Sequence, residues 1–217
     1  MIGDRIPAHV LSVRIIPRAD AALLKALSVE APHISLGILT SDCDDVSYTA
    51  LDEATKKAEV RVVYARSMYA GAGNASTALA GEFIGILSGP DPMAVRSGLD
   101  AAVEFIEHGA SFKSANEEGS VVFYAHCISR TGSYLSAQAG VPRGTPMAYL
   151  IAPPLEATMG LDAALKAADV EMKVYYGPPS ETNFAGGLLT GEQAACQAAC
   201  EAFARAVRAV ADAPIEY

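Results

Sequence analysis

The chain has 217 residues, 51 % of them hydrophobic, with a mean hydropathy of +0.23 and a formal net charge of −9. That length suits one large domain or two small ones. No run approaches the roughly 18–20 uninterrupted apolar residues of a membrane span, and the N-terminus MIGDRIPAHVLSVRIIPRAD lacks the apolar core of a secretion signal, so an intracellular protein with no membrane partner is expected. The acidic balance and the lack of any Lys/Arg run exclude nucleic acid as a partner.

In chain order, VLSVRII (10–16) is a short apolar run ended by proline and reads as a strand. ADAALLKAL (19–27) has helical apolar spacing, and SLGILT (35–40) is a second strand. SYTALDEATKKA (47–58) reads as a helix with Ser47 or Thr49 as its cap, and EVRVVYA (59–65) alternates as a β-branched strand. EFIGILSG (82–89) is a strand. DPMAVRSGLDAAVEFIEHG (91–109) is a helix with Asp91 at the N-cap, Pro92 at its first position and Gly109 closing it. GASFKSANEEG (109–119) is polar and marks a boundary, giving domains 1–110 and 111–217.

The second half repeats the first. VLSVRIIPRADAALLKALSV (10–29) lies against VVFYAHCISRTGSYLSAQAGV (121–141), with Arg18 over Arg130, Leu23 over Leu135 and Val29 over Val141. ALDEATKKAEVRVVYAR (50–66) lies against GLDAALKAADVEMKVYY (160–176), pairing Leu51, Asp52 and Lys56 with Leu161, Asp162 and Lys166. Phe83, Gly85 and Leu87 lie over Phe184, Gly186 and Leu188, and the first copy carries extra residues within RSMYAGAGNASTALAGE (66–82). Three blocks in one order indicate a tandem duplication. Alternating strands and helices in each copy predict an α/β sandwich of two similar domains.

Several motif matches fail on spacing. SDCDDVSYTALDE has Val46 and Ser47 where an EF-hand loop needs a ligand and a glycine. HCISRTG has two residues between Cys127 and Arg130, too few to wrap a phosphate as cysteine phosphatases do. Cys43, Cys127, Cys196 and Cys200 show no metal-ligand spacing, and the last two share one helix face as small buried residues, so free thiols and no metal are expected. His9, His33, His108 and His126 show no ligand spacing either. GAGNAS (71–76) is a partial dinucleotide loop lacking its third glycine; it supports an alternative reading as a small cytosolic α/β enzyme or sensor that binds a nucleotide or other ligand.

The strand LGIL, the ALDEATKKAEV helix, the strands RVVYA and FIGILSG and the helix opening at DPMAV together resemble the body of a bacterial microcompartment shell domain. A strand and helix precede that body in both copies, which resembles the tandem, circularly permuted form. SDCDDVSY, YARSMYAGA, SRTGSYLS, PMAYLIAPPLEAT, PPSETN and LTGEQAAC are similar to the ethanolamine-utilization L-subunit branch of that family. The resemblance implies a non-enzymatic homotrimer whose six ferredoxin-like domains mimic a hexagon. It also implies packing with other shell proteins around cytoplasmic enzymes, and a gated pore on the trimer axis.

On that basis Tyr69, Gly71, Gly73 and Asn74 of the long glycine-rich loop, with Ser180, Glu181 and Asn183 of the short proline-stiffened one, are expected to line the pore. The alternative is a surface loop without function. No cofactor is required, although the pathway implies passage or binding of cobalamin or nucleotides. Asp44 aligns with Glu156 under the repeat, and an acid in each half suits the ammonium of ethanolamine. A pocket of Asp44, Asp45, Phe112, Glu156 and Thr182 follows, with Thr182 taking the hydroxyl. The competing reading has these carboxylates capping helices or lying in water.

Overall fold

A computed structural model describes residues 1–68, 77–178 and 180–216. It contains two compact units. One comprises Ala8–Ala110 with Gly132–Leu135; the other comprises Met1–Pro7, Ser111–Thr131 and Ser136–Tyr217. The tandem α/β organisation is therefore present, and each unit also holds a short piece from the far side of the chain.

The first unit is built on a four-stranded antiparallel sheet of β2 (Val10–Ile16), β3 (Ser35–Ser41), β5 (Phe83–Gly89) and β4 (Arg61–Ser67), in that order. The short helix α1 (Ala21–Ala26) links β2 to β3, with Asp20 Oδ1 accepting the Ala22 N–H at 2.8 Å. Helices α2 (Asp44–Lys57) and α3 (Pro92–His108) pack on the sheet. Leu39, Leu51, Phe83, Leu87 and Leu99 fill the space between them. Each such side chain contributes roughly 1.5–3 kcal/mol when withdrawn from water. Helix α3 starts as its sequence dictates: Asp91 Oδ1 accepts the N–H groups of Met93 and Ala94, both at 2.8 Å, and Pro92 occupies the first turn.

The second unit carries the antiparallel order β1–β6–β7–β8–β10–β9. Strands β7 (Val122–Ile128), β8 (Met147–Ala152), β9 (Val170–Tyr176) and β10 (Ala185–Gly191) repeat the first sheet. Helices α5 (Pro154–Ala167) and α6 (Gln193–Asp212) cover it. Central strands β8 and β10 are almost wholly buried, whereas outer strand β9 is exposed at Glu171, Met172, Lys173 and Tyr175. Phe123, Leu150, Leu161, Leu189 and Phe203 form the core, together with Cys196 and Cys200. Burial raises the Cys196 thiol to about 11, with further upward pushes from neighbours, so this cysteine stays protonated and inert, as its helix-face spacing predicts. α4 (Ser133–Ala139) is the counterpart of α1.

Two elements were not expected. β1 (Arg5–Ile6) pairs antiparallel with β6 (Phe112–Ser114), inside the stretch read as a polar boundary. Two or three residues are too few for periodicity to register, and the pairing partner is remote in sequence.

Candidate functional site

The turn from β3 into α2 gathers carboxylates. The helix begins at Asp44, earlier than the sequence suggests, with Cys43 at the N-cap and no side-chain cap bond. Ser47 and Thr49 are not caps. Ser47 Oγ donates to Cys43 O at 2.7 Å and Thr49 Oγ1 to Asp45 O at 3.1 Å, both back-bonds to the preceding turn. Asp44 and Asp45 thus occupy the first helical turn, where the backbone dipole favours negative charge. Both are buried.

Asp44 Oδ1 accepts the Asp45 N–H at 2.8 Å. Burial raises the Asp44 carboxyl above the usual carboxylate range, while a hydrogen bond from Ser67 and the Asp45 N–H pull it back down. Ser67 Oγ also lies 2.9 Å from the Tyr48 hydroxyl. Glu82, on the strand-entry side of β5, is raised by burial first and then by the charges of Asp44 and Asp42. Asp42 Oδ1 in turn accepts the His9 N–H at 2.6 Å. Glu82, Ser67 and Tyr48 were not among the residues singled out from sequence. The antiparallel pairing of Ser41 with Phe83 brings Glu82 beside the β3–α2 turn, and that register was the missing signal.

Phe112, Glu156 and Thr182 lie in the other unit. Phe112 is buried in β6, its ring 5.5 Å from Tyr124 and 5.7 Å from Phe184. This brings Phe112 close to the turn that holds Thr182. Within that turn Ser180 Oγ donates to Phe184 O at 2.7 Å, and Asn183 N–H to Ser180 O at 3.2 Å. Asn183 adopts the left-handed conformation with φ 62°, which asparagine tolerates better than most residues. Glu181 is exposed at the tip. Glu156 lies in the first turn of α5, half-buried.

The repeat equivalence of Asp44 and Glu156 does not hold. α2 and α5 are each 14 residues long and end at matching positions, which sets Asp44 over Pro154 and leaves Glu156 over Val46. The turn between strand and helix is longer in the first copy, so carrying the strand alignment into the helix slips the register. Glu156 keeps its place at a helix start on its own account. The pore candidates Tyr69, Gly71, Gly73 and Asn74, and the GAGNAS loop, lie outside the described residues. Among the described residues, no group of three or more His, Cys, Asp or Glu is arranged to hold a metal ion.

A carboxylate cluster at a desolvated helix start, with hydroxyls of Ser67 and Tyr48 nearby, is chemically matched to a small ammonium bearing hydrogen-bond donors.

The BMC domain family matches residues 35–117, from the start of β3 to just beyond β6. The chain is 63 % identical over 217 residues to the bacterial microcompartment shell protein EutL of Clostridium perfringens, covering 100 % of both chains. It is 53 % identical over 214 residues to EutL of Escherichia coli K12, covering 98 % of this chain and 97 % of that one. The crystal structure of the ethanolamine utilization protein EutL from Leptotrichia buccalis superposes with a TM-score of 0.98, at 64 % identity and full coverage of both chains.

Proposed function

The chain belongs to the EutL family of bacterial microcompartment shell proteins, and from that premise we propose that it forms a homotrimeric tile with a gated axial pore, regulated by ethanolamine. It is a structural shell protein of the ethanolamine-utilization microcompartment, not an enzyme. Full-length similarity to EutL proteins carries this reading, and the tandem fold agrees with it. Two copies per chain allow three chains to complete a six-fold outline.

The gate belongs to the long loop of the first copy and the short Ser180–Asn183 turn of the second. When open, it passes small substrates and bulkier cargo such as cobalamin or nucleotides. Ethanolamine binds through the carboxylates of Asp44 and Asp45 at the start of α2. It shifts the gate only by binding one pore state better than the other. The buried acids of the β3–α2 turn support this assignment, because their desolvated charge is relieved by an ammonium ion.

Light scattering tests the tile: a mass near three times 22.5 kDa supports it, and a monomer at all concentrations overturns it. Electron microscopy of concentrated protein should then show sheets or tubes. Calorimetry with ethanolamine tests the ligand. Binding heat should vanish in Asp45→Asn, and heat retained in that variant removes the site.

A further inference from the structure

The face of the second sheet that α6 covers ends in a row of cations. Arg5 of β1 lies opposite Lys113 of β6, and Lys113 lies opposite Phe123 of β7. Residues in register across antiparallel strands project to one face, so these three side chains point the same way. Two contacts agree with that direction. Arg5 Nε donates to Ser111 Oγ at 3.0 Å, two residues along β6 from Lys113, and Phe123 belongs to the core beneath α6. Phe112 stacks on Tyr124 on the opposite face.

Helix α6 adds a third cation. The Arg208 guanidinium sits 5.6 Å from the centre of the Phe123 ring, and a Cβ built on Gly3 would lie 3.6 Å from Arg208 Nη2. Arg208 therefore reaches the same end of the sheet as Arg5 and Lys113. Like charges directly opposite each other on paired strands oppose folding. Among the described residues, no carboxylate lies within ion-pair distance of Lys113 or Arg208, and Arg208 Nε is buried without a hydrogen-bond partner. The Asp4 carboxylate beside β1 is taken by the N-terminal ammonium at 2.7 Å. A buried N–H left unpaired is costly.

The first copy shows this helix position satisfied. Ile106 and Val207 are the last buried residues of α3 and α6, and the residues after them are Glu107 and Arg208. Glu107 Oε1 accepts the Val10 N–H at 2.8 Å, and its Oε2 lies 3.4 Å from His9 Nδ1. In the second copy the charge is reversed, and Arg208 meets an aromatic ring rather than an acceptor.

We propose that Arg5, Lys113 and Arg208 form a receptor for a doubly charged oxyanion: free phosphate, or the phosphoryl group of a small phosphate ester. Three cations on one face match two negative charges better than one, and guanidinium groups present paired N–H donors to adjacent oxygens. The receptor is built within one unit, so it depends neither on trimer assembly nor on the acidic β3–α2 turn.

Calorimetry at about pH 8 and fixed ionic strength, with inorganic phosphate, glycerol phosphate and acetate as probes, tests the receptor. Phosphate should bind at one site per chain, and acetate at least about tenfold more weakly. Lys113→Gln and Arg208→Gln should each weaken phosphate by about tenfold or more, as loss of a charge-assisted contact does. Lys166→Gln, on an exposed stretch of α5, should leave it unchanged. Lys113 is exposed, so its variant probes the site without disturbing the core. Equal affinity for glycerol phosphate assigns the receptor to phosphate esters, and binding of inorganic phosphate alone assigns it to the free ion. Absence of phosphate heat in the folded wild-type chain overturns the proposal. So does wild-type affinity in both variants, or acetate bound as tightly as phosphate.

Discussion

Asp52 and Gly132, separated by 80 positions in sequence, are joined by a 2.6 Å hydrogen bond from the glycine N–H to a fully buried carboxylate. The same side chain takes the Leu135 N–H, so one acid serves two of the free donors at the start of α4. Asp52→Ala should destabilise the chain by about 3 kcal/mol in urea unfolding, because both donors lose their partner in a buried setting. Asp162→Ala, the repeat counterpart, should change the isolated chain by less than about 0.5 kcal/mol. Equal losses at the two positions would contradict the asymmetry.

Charge at the β3–α2 turn should oppose stability in the absence of ligand. Burial raises Asp44 above its usual range, so the folded state holds that proton more tightly than the unfolded chain. Its contribution to stability therefore falls as pH rises from the ordinary carboxylate range through the raised native value. Asp44→Asn should raise Tm at pH 7 by about 2 °C, with the gain shrinking toward pH 4. The same variant should lose ethanolamine heat. A variant that is destabilised at pH 7 would show the carboxylate to be structurally required.

His33 should give the opposite pH dependence. It is buried, with Nδ1 2.9 Å from Ser88 Oγ, and its pKa is lowered by burial first and by Arg61 second. Stability from this group is present above pH 6.5 and is lost as pH falls through its depressed native value. Tm measured from pH 7.5 to 5.5 should therefore decline, and His33→Gln should flatten that part of the curve. An unchanged slope in the variant would assign the decline elsewhere.

Separating the halves at residues 110 and 111 should yield fragments that are unstable alone. Fragment 1–110 would lack Gly132–Leu135, the donors to Asp52, and fragment 111–217 would lack β1, the partner of β6. Mixed fragments should regain helical circular dichroism that neither shows alone. Two independently cooperative fragments would refute this.

Much of the fold was legible because each element carried a local signal. Asp91–Pro92 announced α3, and the β-branched and apolar runs located β2, β3, β4 and β5. The duplicated helix with Leu51–Asp52 and Leu161–Asp162 revealed the tandem organisation. What escaped depended on distant partners. β1 and β6 exist as strands because they pair with each other, and Glu82 joins the acidic turn through sheet register alone. The start of α2 was misplaced because Ser47 and Thr49 resemble caps, yet their hydroxyls bond back to the preceding carbonyls. Asp44 and Glu156 were matched across a turn whose length differs between the copies.

The exchange of short pieces between the two units bears on ancestry. A freshly duplicated gene can lose either copy and return to a self-sufficient single-domain protein. Once residues 132–135 complete the first unit and residues 1–7 complete the second, deleting one copy also takes away part of the other. Reversion by simple deletion then leaves an incomplete fold, so the exchange acts as a ratchet, and each half is free to diverge only while the other persists.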